Sequence, residues 1–262
     1  MDMPINTFKR AIVERKRQIG LWSHLSSYVS MEVIAGAGFD WILIDMEHSP
    51  NELFQVHQQL LAMAEYATQP VVRVAWNDKV MIKRVIDIGA QTILVPYVQN
   101  ADEARAAVAA TRYPSGAGGL RGFTAQSRAS RFGRVKDYHQ RAAQEMCVIV
   151  QVETREALDN IEAIAAVDGV DGVFIGPGDL SASLGFLGDA GHADVQRVVI
   201  ESIDRIVAAG KPAGILTGDR SLAKNYIERG CTFAAVGADI ALLARAAEQL
   251  AQEFGCASGA RR

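Results

Sequence analysis

Short runs rich in β-branched residues recur along the chain, each followed by a stretch whose apolar positions repeat at helical spacing. Gln18–His24 (QIGLWSH) predicts a first strand, and Tyr28–Gly38 a helix with a glycine stop. Trp41–Glu47 (WILIDME) is the second strand, with a helix from about Asn51 to Ala67. Pro70–Trp76 (PVVRVAW) is the third, with a helix over Asp78–Gly89 capped by Asn77 or Asp78. Thr92–Val98 is the fourth, with a helix over Ala101–Arg112 started by Asn100 or Asp102. A glycine-rich loop, Pro114–Arg121, and a polar, arginine-rich stretch to about Lys136 then interrupt the pattern before a helix over Asp137–Glu145. It resumes with strands at Val148–Glu153, Val173–Ile175, Ala213–Thr217 and Phe233–Val236. Their helices are Arg155–Val167, Ala193–Ala209 (after a glycine-rich link, Gly185–Gly191), Leu222–Arg229 and Leu242–Phe254.

Such alternation means parallel strands with helical crossovers, and units of this number and length fit an α/β (β/α)8 TIM barrel in a single domain over residues 1–256. An open doubly wound sheet is the alternative. It would usually carry G-x-G-x-x-G after its first strand, which Gly20-Leu-Trp-Ser23 does not supply. Residues 257–262 read as a frayed tail.

Composition narrows the function classes. Apolar residues make up 49% and charged residues 22%, as in an ordinary globular chain. A formal net charge of −3 and scattered arginines leave no nucleic-acid face. Cys147, Cys231 and Cys256 have no paired spacing, which argues against a disulfide framework and a structural zinc site. With no apolar core of signal-peptide length and no run able to span a bilayer, the expected setting is the cytoplasm, without a membrane partner.

In a barrel, reactive groups sit at the C-terminal ends of the strands. Asp45, Glu47 and His48 end the second strand; Gln151 and Glu153 end the fifth; Asp179 follows the sixth on a Gly-Pro-Gly turn. Glu153 and Asp179 each read as a helix cap when taken alone. On consecutive strands, without a Cys or His cluster nearby, they suit a hard cation such as Mg²⁺ or Mn²⁺. Arg73 interrupts an apolar strand and must meet an anion. That anion is either Asp45 or Glu47 on the neighbouring strand, or a substrate carboxylate. His48 reads as a general base or as a surface loop histidine, and His24 has the same two readings. No lysine lies within a strand, which disfavours a Schiff base, and Ser127 and Ser181 lack a G-x-S-x-G setting.

Taken together, Asp45-Met-Glu-His-Ser-Pro-Asn51, Val72-Arg-Val74, Leu94-Val-Pro96, Gly119-Leu-Arg-Gly122, Gln151-Val-Glu153 and Ile175-Gly-Pro-Gly-Asp-Leu-Ser181 resemble the HpcH/HpaI aldolase family of class II pyruvate aldolases. The resemblance runs from about Phe8 to Phe254. It implies a lyase that uses Mg²⁺, Mn²⁺ or Co²⁺ to cleave a 4-hydroxy-2-oxo acid reversibly into pyruvate and an aldehyde, as with 4-hydroxy-2-oxoheptane-1,7-dioate in aromatic catabolism. It implies Glu153 and Asp179 as metal ligands, with Gln151 and Gly178 at the pyruvate site. Arg73 would stabilise the enolate, and His48 would be the base, paired with Asp87. Asp45 and Leu216 would face the aldehyde. It further implies a homo-hexamer, a trimer of dimers, whose last helix is exchanged with a neighbour. Asp87 stands near the C-terminal end of its predicted helix, so it would act from a neighbouring chain or not at all. Position 178 is often alanine in relatives, and glycine there would admit a bulkier donor. The competing readings are a CoA-thioester lyase of the citrate lyase β-subunit type and a catalytically silent barrel serving as a binding module.

Overall fold

The computed structural model describes residues 1–114 and 118–256. Residues 115–117 of the glycine-rich loop and the expected tail at 257–262 lie outside the described residues. Eight strands form the barrel: β1 (Gln18–Ser23), β2 (Trp41–Asp45), β3 (Gln69–Arg73), β4 (Thr92–Val95), β5 (Cys147–Val152), β6 (Gly172–Ile175), β7 (Ala213–Leu216) and β8 (Cys231–Ala238). All pair in parallel in chain order, and β8 returns to β1 with Phe233 opposite Gln18, which closes the sheet. Around it run α1 (Thr7–Val13), α2 (Tyr28–Ala35), α3 (Leu53–Ala62), α4 (Lys79–Asp87), α5 (Ala101–Thr111) and α6 (Tyr138–Glu145). After β5 come α7 (Arg155–Asp159), α8 (Ile161–Ala165), α9 (Pro177–Ser183), α10 (Ala193–Ala208), α11 (Arg220–Glu228) and α12 (Asp239–Glu253). No helix among the described residues is long and apolar enough to cross a membrane.

The period of two along each strand divides the core into two layers. Ile42, Ile44, Val72, Ile93, Val95, Val148, Val150, Val173, Ile175 and Ile215 face outward and pack under the helices. Trp22, Trp41, Leu43, Val71, Leu94, Cys147, Ile149, Phe174 and Phe233 fill the barrel interior, joined by Phe8 and Ile12 of α1. Phe8 stands 5.8 Å edge-on to Phe233 and 5.7 Å from Trp41, so α1 plugs the end of the barrel where the strands begin. This helix is missing from the sequence reading. It is short, and its apolar residues one turn apart carry little periodic signal. The bulk of these rings is matched by glycines on the neighbouring strands: a Cβ on Gly214 would lie 2.1 Å from the Phe233 ring, and one on Gly20 2.2 Å from the Trp41 indole.

Side chains start most of the helices. Asn6, Ser27, Asp78, Asn100, Thr154 and Asp219 each accept an amide N–H of the following first turn. Several element ends differ from expectation for local reasons. β2 stops at Asp45, whose carboxylate accepts the Glu47 N–H at 3.0 Å and turns the chain. β4 stops at Val95, because Pro96 follows and Tyr97 is left-handed (φ 56°). The single helix expected over Arg155–Val167 is two, broken at Asn160, whose side-chain amide donates to the carbonyls of Gln99 and Glu156, each at 3.0 Å. The segment after β6 is a short helix, α9, and carries Asp179 in its first turn. The last helix, α12, leaves Leu242, Leu243 and Leu250 exposed, as is Phe254 just after it, and its only buried residue is Asp239.

Because Phe233 is backed by Phe8, Trp41 and Phe174, it has no room to yield to a methyl group at Gly214. Gly214→Ala is expected to lower the free energy of unfolding by about 1–3 kcal/mol, read from chemical denaturation. Phe233→Leu in the same chain should restore part of the loss. An unchanged midpoint in the single variant would show that the interior is less tightly packed than the geometry requires.

Candidate active site

At the other end of the barrel the interior turns polar. The register sets Asp45 and Arg73 opposite each other on β2 and β3, both pointing inward. Arg73 donates from Nε to Asp45 Oδ1 at 2.8 Å and from Nη2 to Asp45 Oδ2 at 2.6 Å, a two-toothed ion pair buried on both sides. Its third nitrogen, Nη1, lies 2.8 Å from Glu47 Oε2, and its guanidinium carbon sits 5.0 Å from the centre of the Trp22 ring. Asp45 is the more heavily committed partner. Trp22 Nε1 donates to it at 3.1 Å, His24 Nε2 lies 3.3 Å from Oδ2, and the Glu47 amide binds Oδ1. Burial alone would raise its pKa, but the bonds from His24 and Arg73 overcome that and hold the carboxyl well below the usual range. Arg73 therefore has the structural partner that its sequence setting demanded. Asp45, expected to face an aldehyde, instead lies wholly buried beneath that guanidinium and orients it.

Glu153 follows β5 and is buried. Its Oε1 accepts the Tyr97 N–H at 2.8 Å and its Oε2 accepts from Gln151 Nε2 at 2.5 Å. A Cβ on Gly176 would lie 2.4 Å from Glu153 Oε2, so the first glycine of the Gly-Pro-Gly turn makes room for this carboxylate. Burial pushes the Glu153 carboxyl up to about 7; Gln151 and the Tyr97 amide oppose the rise, while the charges of Glu47 and Asp179 add to it. Glu47 is also raised to about 7, by burial against the pull of Arg73, with Asp45 and Asp179 pushing further. Glu47, Glu153 and Asp179 thus share one field. Asp179 itself is exposed in the first turn of α9.

Among the described residues no three His, Cys, Asp or Glu side chains form a ready metal cage. The donor set still suits a hard cation. The carboxylates of Glu153, just after β5, and Asp179, in α9, repel each other, Gln151 Oε1 is buried without a hydrogen-bond partner, and the remaining positions would fall to water or substrate. His48 lies on the β2–α3 loop with an exposed side chain, 3.9 Å from Glu47 Oε2. Leu216 ends β7, half buried at the upper edge of the interior cluster. Gly178 faces open space: a Cβ there would meet nothing within 4 Å.

Asp87 does not join these groups within the chain. It closes α4, and helices run opposite to strands, so it lies at the end of the barrel where strands begin. There it accepts from the buried Arg121 Nη2 at 2.9 Å, and that guanidinium also bonds Tyr138 and stacks over Tyr113. The expected His48–Asp87 pair is therefore not formed in one chain. The sequence reading also missed Trp22, the Tyr97 amide and Gly176 as parts of the site. The first and last stand at strand ends in the same layer as Asp45 and Gln151, which is a usable signal; a backbone amide leaves none.

The family model for HpcH/HpaI aldolase/citrate lyase matches residues 18–246. The chain is 56% identical over 251 residues to the 4-hydroxy-2-oxo-heptane-1,7-dioate aldolase of Shigella sonnei, covering 95% of each chain. It is 55% identical over 254 residues to the pyruvate aldolase of Rhizobium etli, covering 97% of this chain and 99% of that one. The crystal structure of an HpcH/HpaI aldolase/citrate lyase family protein from Burkholderia cenocepacia superposes with a TM-score of 0.92 at 41% identity, over 95% of this chain and 99% of the other. The citrate lyase β subunit of M. tuberculosis, at 18% identity and a TM-score of 0.57, shares the fold alone; it covers 85% of this chain and 92% of its own. With these likenesses over nearly the whole length of a closed eight-stranded barrel, the chain belongs to the HpcH/HpaI aldolase/citrate lyase family.

Proposed function

We propose that this chain is a class II aldolase that reversibly cleaves a 4-hydroxy-2-oxo acid, such as 4-hydroxy-2-oxoheptane-1,7-dioate, to pyruvate and an aldehyde. The observation that carries the reading is one fixed guanidinium, Arg73, set among carboxylates that destabilise one another at the mouth of the barrel. Glu153 and Asp179, with the free Gln151 Oε1 beside them, would hold a divalent cation (Mg²⁺, Mn²⁺ or Co²⁺), which when bound supplies Lewis-acid stabilisation of the enolate.

Cleavage of the C3–C4 bond leaves negative charge on the oxygens of the pyruvate fragment. Asp45 keeps two of the three Arg73 nitrogens fixed, so the guanidinium is oriented before substrate arrives. The third, Nη1, is shared with Glu47, whose carboxyl is only partly ionised near neutral pH and is easily displaced by a substrate carboxylate. Gln151 lines the pyruvate side, and Leu216 borders the side where the aldehyde leaves. The open space at Gly178 is room for a 2-oxo acid larger than pyruvate. His48, exposed on its loop, takes the C4 hydroxyl proton and later returns a proton to carbon. Asp87 serves it from a neighbouring subunit or not at all. The apolar face of α12, uncovered by its own barrel, supports exchange of this helix between subunits of a hexamer. We place the enzyme in the cytoplasm.

Pyruvate methyl-proton exchange in D₂O, followed by NMR, tests the reading without a choice of aldehyde. Exchange is expected only when Mg²⁺, Mn²⁺ or Co²⁺ is added to EDTA-treated protein; its absence with every metal would exclude enolate chemistry. Arg73→Lys keeps the charge but loses the two-toothed grip on Asp45, so turnover in aldol cleavage should fall about 100-fold or more, measured by pyruvate release. Unchanged turnover would remove Arg73 from the mechanism. His48→Ala should slow the exchange about 100-fold or more; a wild-type exchange rate would place the base elsewhere.

A further inference from the structure

The loop from β2 to α3 carries Glu47 and His48, and a buried set of amides lies beneath it. The His48 side chain is exposed, and its nearest ionic partner among the described residues, Glu47 Oε2, is 3.9 Å away. That distance does not fix a ring, so His48 stands where its backbone puts it. The backbone is gathered onto one residue from both sides. At the start of the loop the Asp45 carboxylate accepts the Glu47 N–H. At its end Asn51 folds back: its Nδ2 donates to the Asp45 carbonyl at 2.8 Å and to Ser49 Oγ at 2.9 Å, and Ser49 Oγ donates to the same carbonyl. Met46, Glu47 and His48 form a short arch whose two feet meet at Asp45.

A residue of α3 closes the arch. Gln59 lies on the inward face of that helix with Val56 and Leu60, and all three are buried. Its Nε2 donates to Asn51 Oδ1 at 2.7 Å and to the Gln55 carbonyl at 3.2 Å. Its Oε1 lies 3.4 Å from the Ser23 hydroxyl, which donates to the buried Asp239 at 3.0 Å. Asn51 is only 3% exposed, so its bonds are made out of water, and breaking one strands the group on the other side. The apolar face of α3 needs no amide at position 59, because a leucine would pack there beside Val56 and Leu60. The loop does need it.

We propose that Asn51 and Gln59 are positioning residues of the reaction: together they lock the arch over residues 46–48 and so fix where the His48 imidazole meets the substrate. This inference rests on the aldolase reading, with His48 as its base. The clamp acts on proton transfer and not on the hold on pyruvate, because Arg73 is oriented by the Asp45 carboxylate and not by the carbonyl that Asn51 binds.

The test measures pyruvate methyl exchange in D₂O with Mn²⁺ in wild type, Gln59→Leu, His48→Ala and the double variant, each well below its melting temperature. Leucine at position 59 keeps an apolar side chain against the core while deleting the amide. The saturated exchange rate of Gln59→Leu is expected to fall about tenfold with the pyruvate KM unchanged. In the His48→Ala background the same change should have no further effect, because the clamp acts through that ring. A wild-type rate in Gln59→Leu, a change in KM alone, or an equal fall in both backgrounds would overturn the clamp while leaving the aldolase reading intact. If Gln59→Leu does not fold, Asn51→Ala, which removes the other half of the same bond, is read in the same way. Wild-type protein without metal-dependent exchange would overturn the aldolase reading, and full exchange in His48→Ala would overturn the base; either result takes the clamp with it.

Discussion

Four carboxylates, Asp45, Glu47, Glu153 and Asp179, stand at the mouth of the barrel with one guanidinium, which pairs with the first two, and this excess of negative charge governs the rest of the site. His24 and Arg73 together hold Asp45 well below the usual carboxylate range, and Arg73 also meets Glu47. Breaking a buried pair of this kind typically costs about 3–5 kcal/mol, because the remaining charge is stranded. The fold accepts that exposure to loss for a reason visible in the geometry: an arginine gripped at two nitrogens cannot swing, so its third is presented in a fixed direction. The charges left over, on Glu153 and Asp179, have no cation of the chain's own to meet them. In a poorly solvated mouth that imbalance is relieved either by protons or by a divalent ion.

The lower barrel is the counterpart of this arrangement. Trp22, Trp41, Phe174, Phe233 and Phe8 make a dry, tightly filled interior, possible only because glycines stand opposite the largest rings. Trp22 belongs to both regions. Its ring closes the aromatic layer below while its Nε1–H reaches Asp45 and its face receives the Arg73 guanidinium. The floor of the site is therefore the roof of the core, and the polar groups above it inherit the rigidity of the packing beneath.

Much of this was legible in the chain. The alternation of β-branched runs with helical patterns defined the barrel, since a parallel sheet with crossovers leaves few other closures. The strand ends then named Arg73, Gln151, Glu153 and Asp179, because a polar residue that breaks an apolar strand must face something polar. Less legible were features set by backbone geometry. The Tyr97 amide that binds Glu153 has no sequence mark, and α1 is too short to show a period. The aldehyde role of Asp45 came from the family resemblance, whereas the strand pattern had already offered it as a partner for Arg73; that an indole and a histidine also bind its oxygens left no mark in the sequence. Asp87 showed the reverse: helix direction alone placed it at the far end from the other site residues, and the structure puts it there, bound to Arg121.

The most direct measurement of the carboxylate imbalance is the melting temperature of EDTA-treated protein between pH 5 and 8, for wild type and Glu153→Gln, without and with added Mg²⁺ or Mn²⁺. Glu47 and Glu153 are raised in the fold from an ordinary 4.5 to about 7, so the folded chain binds more protons than the unfolded chain between those values. Stability contributed by these groups is accordingly lost as pH rises through that window. The account predicts that metal-free wild type loses more melting temperature from pH 5 to 8 than Glu153→Gln does, and that the divalent ion restores wild type at pH 8 but not the variant. Parallel curves for the two proteins, indifferent to the added ion, would contradict it.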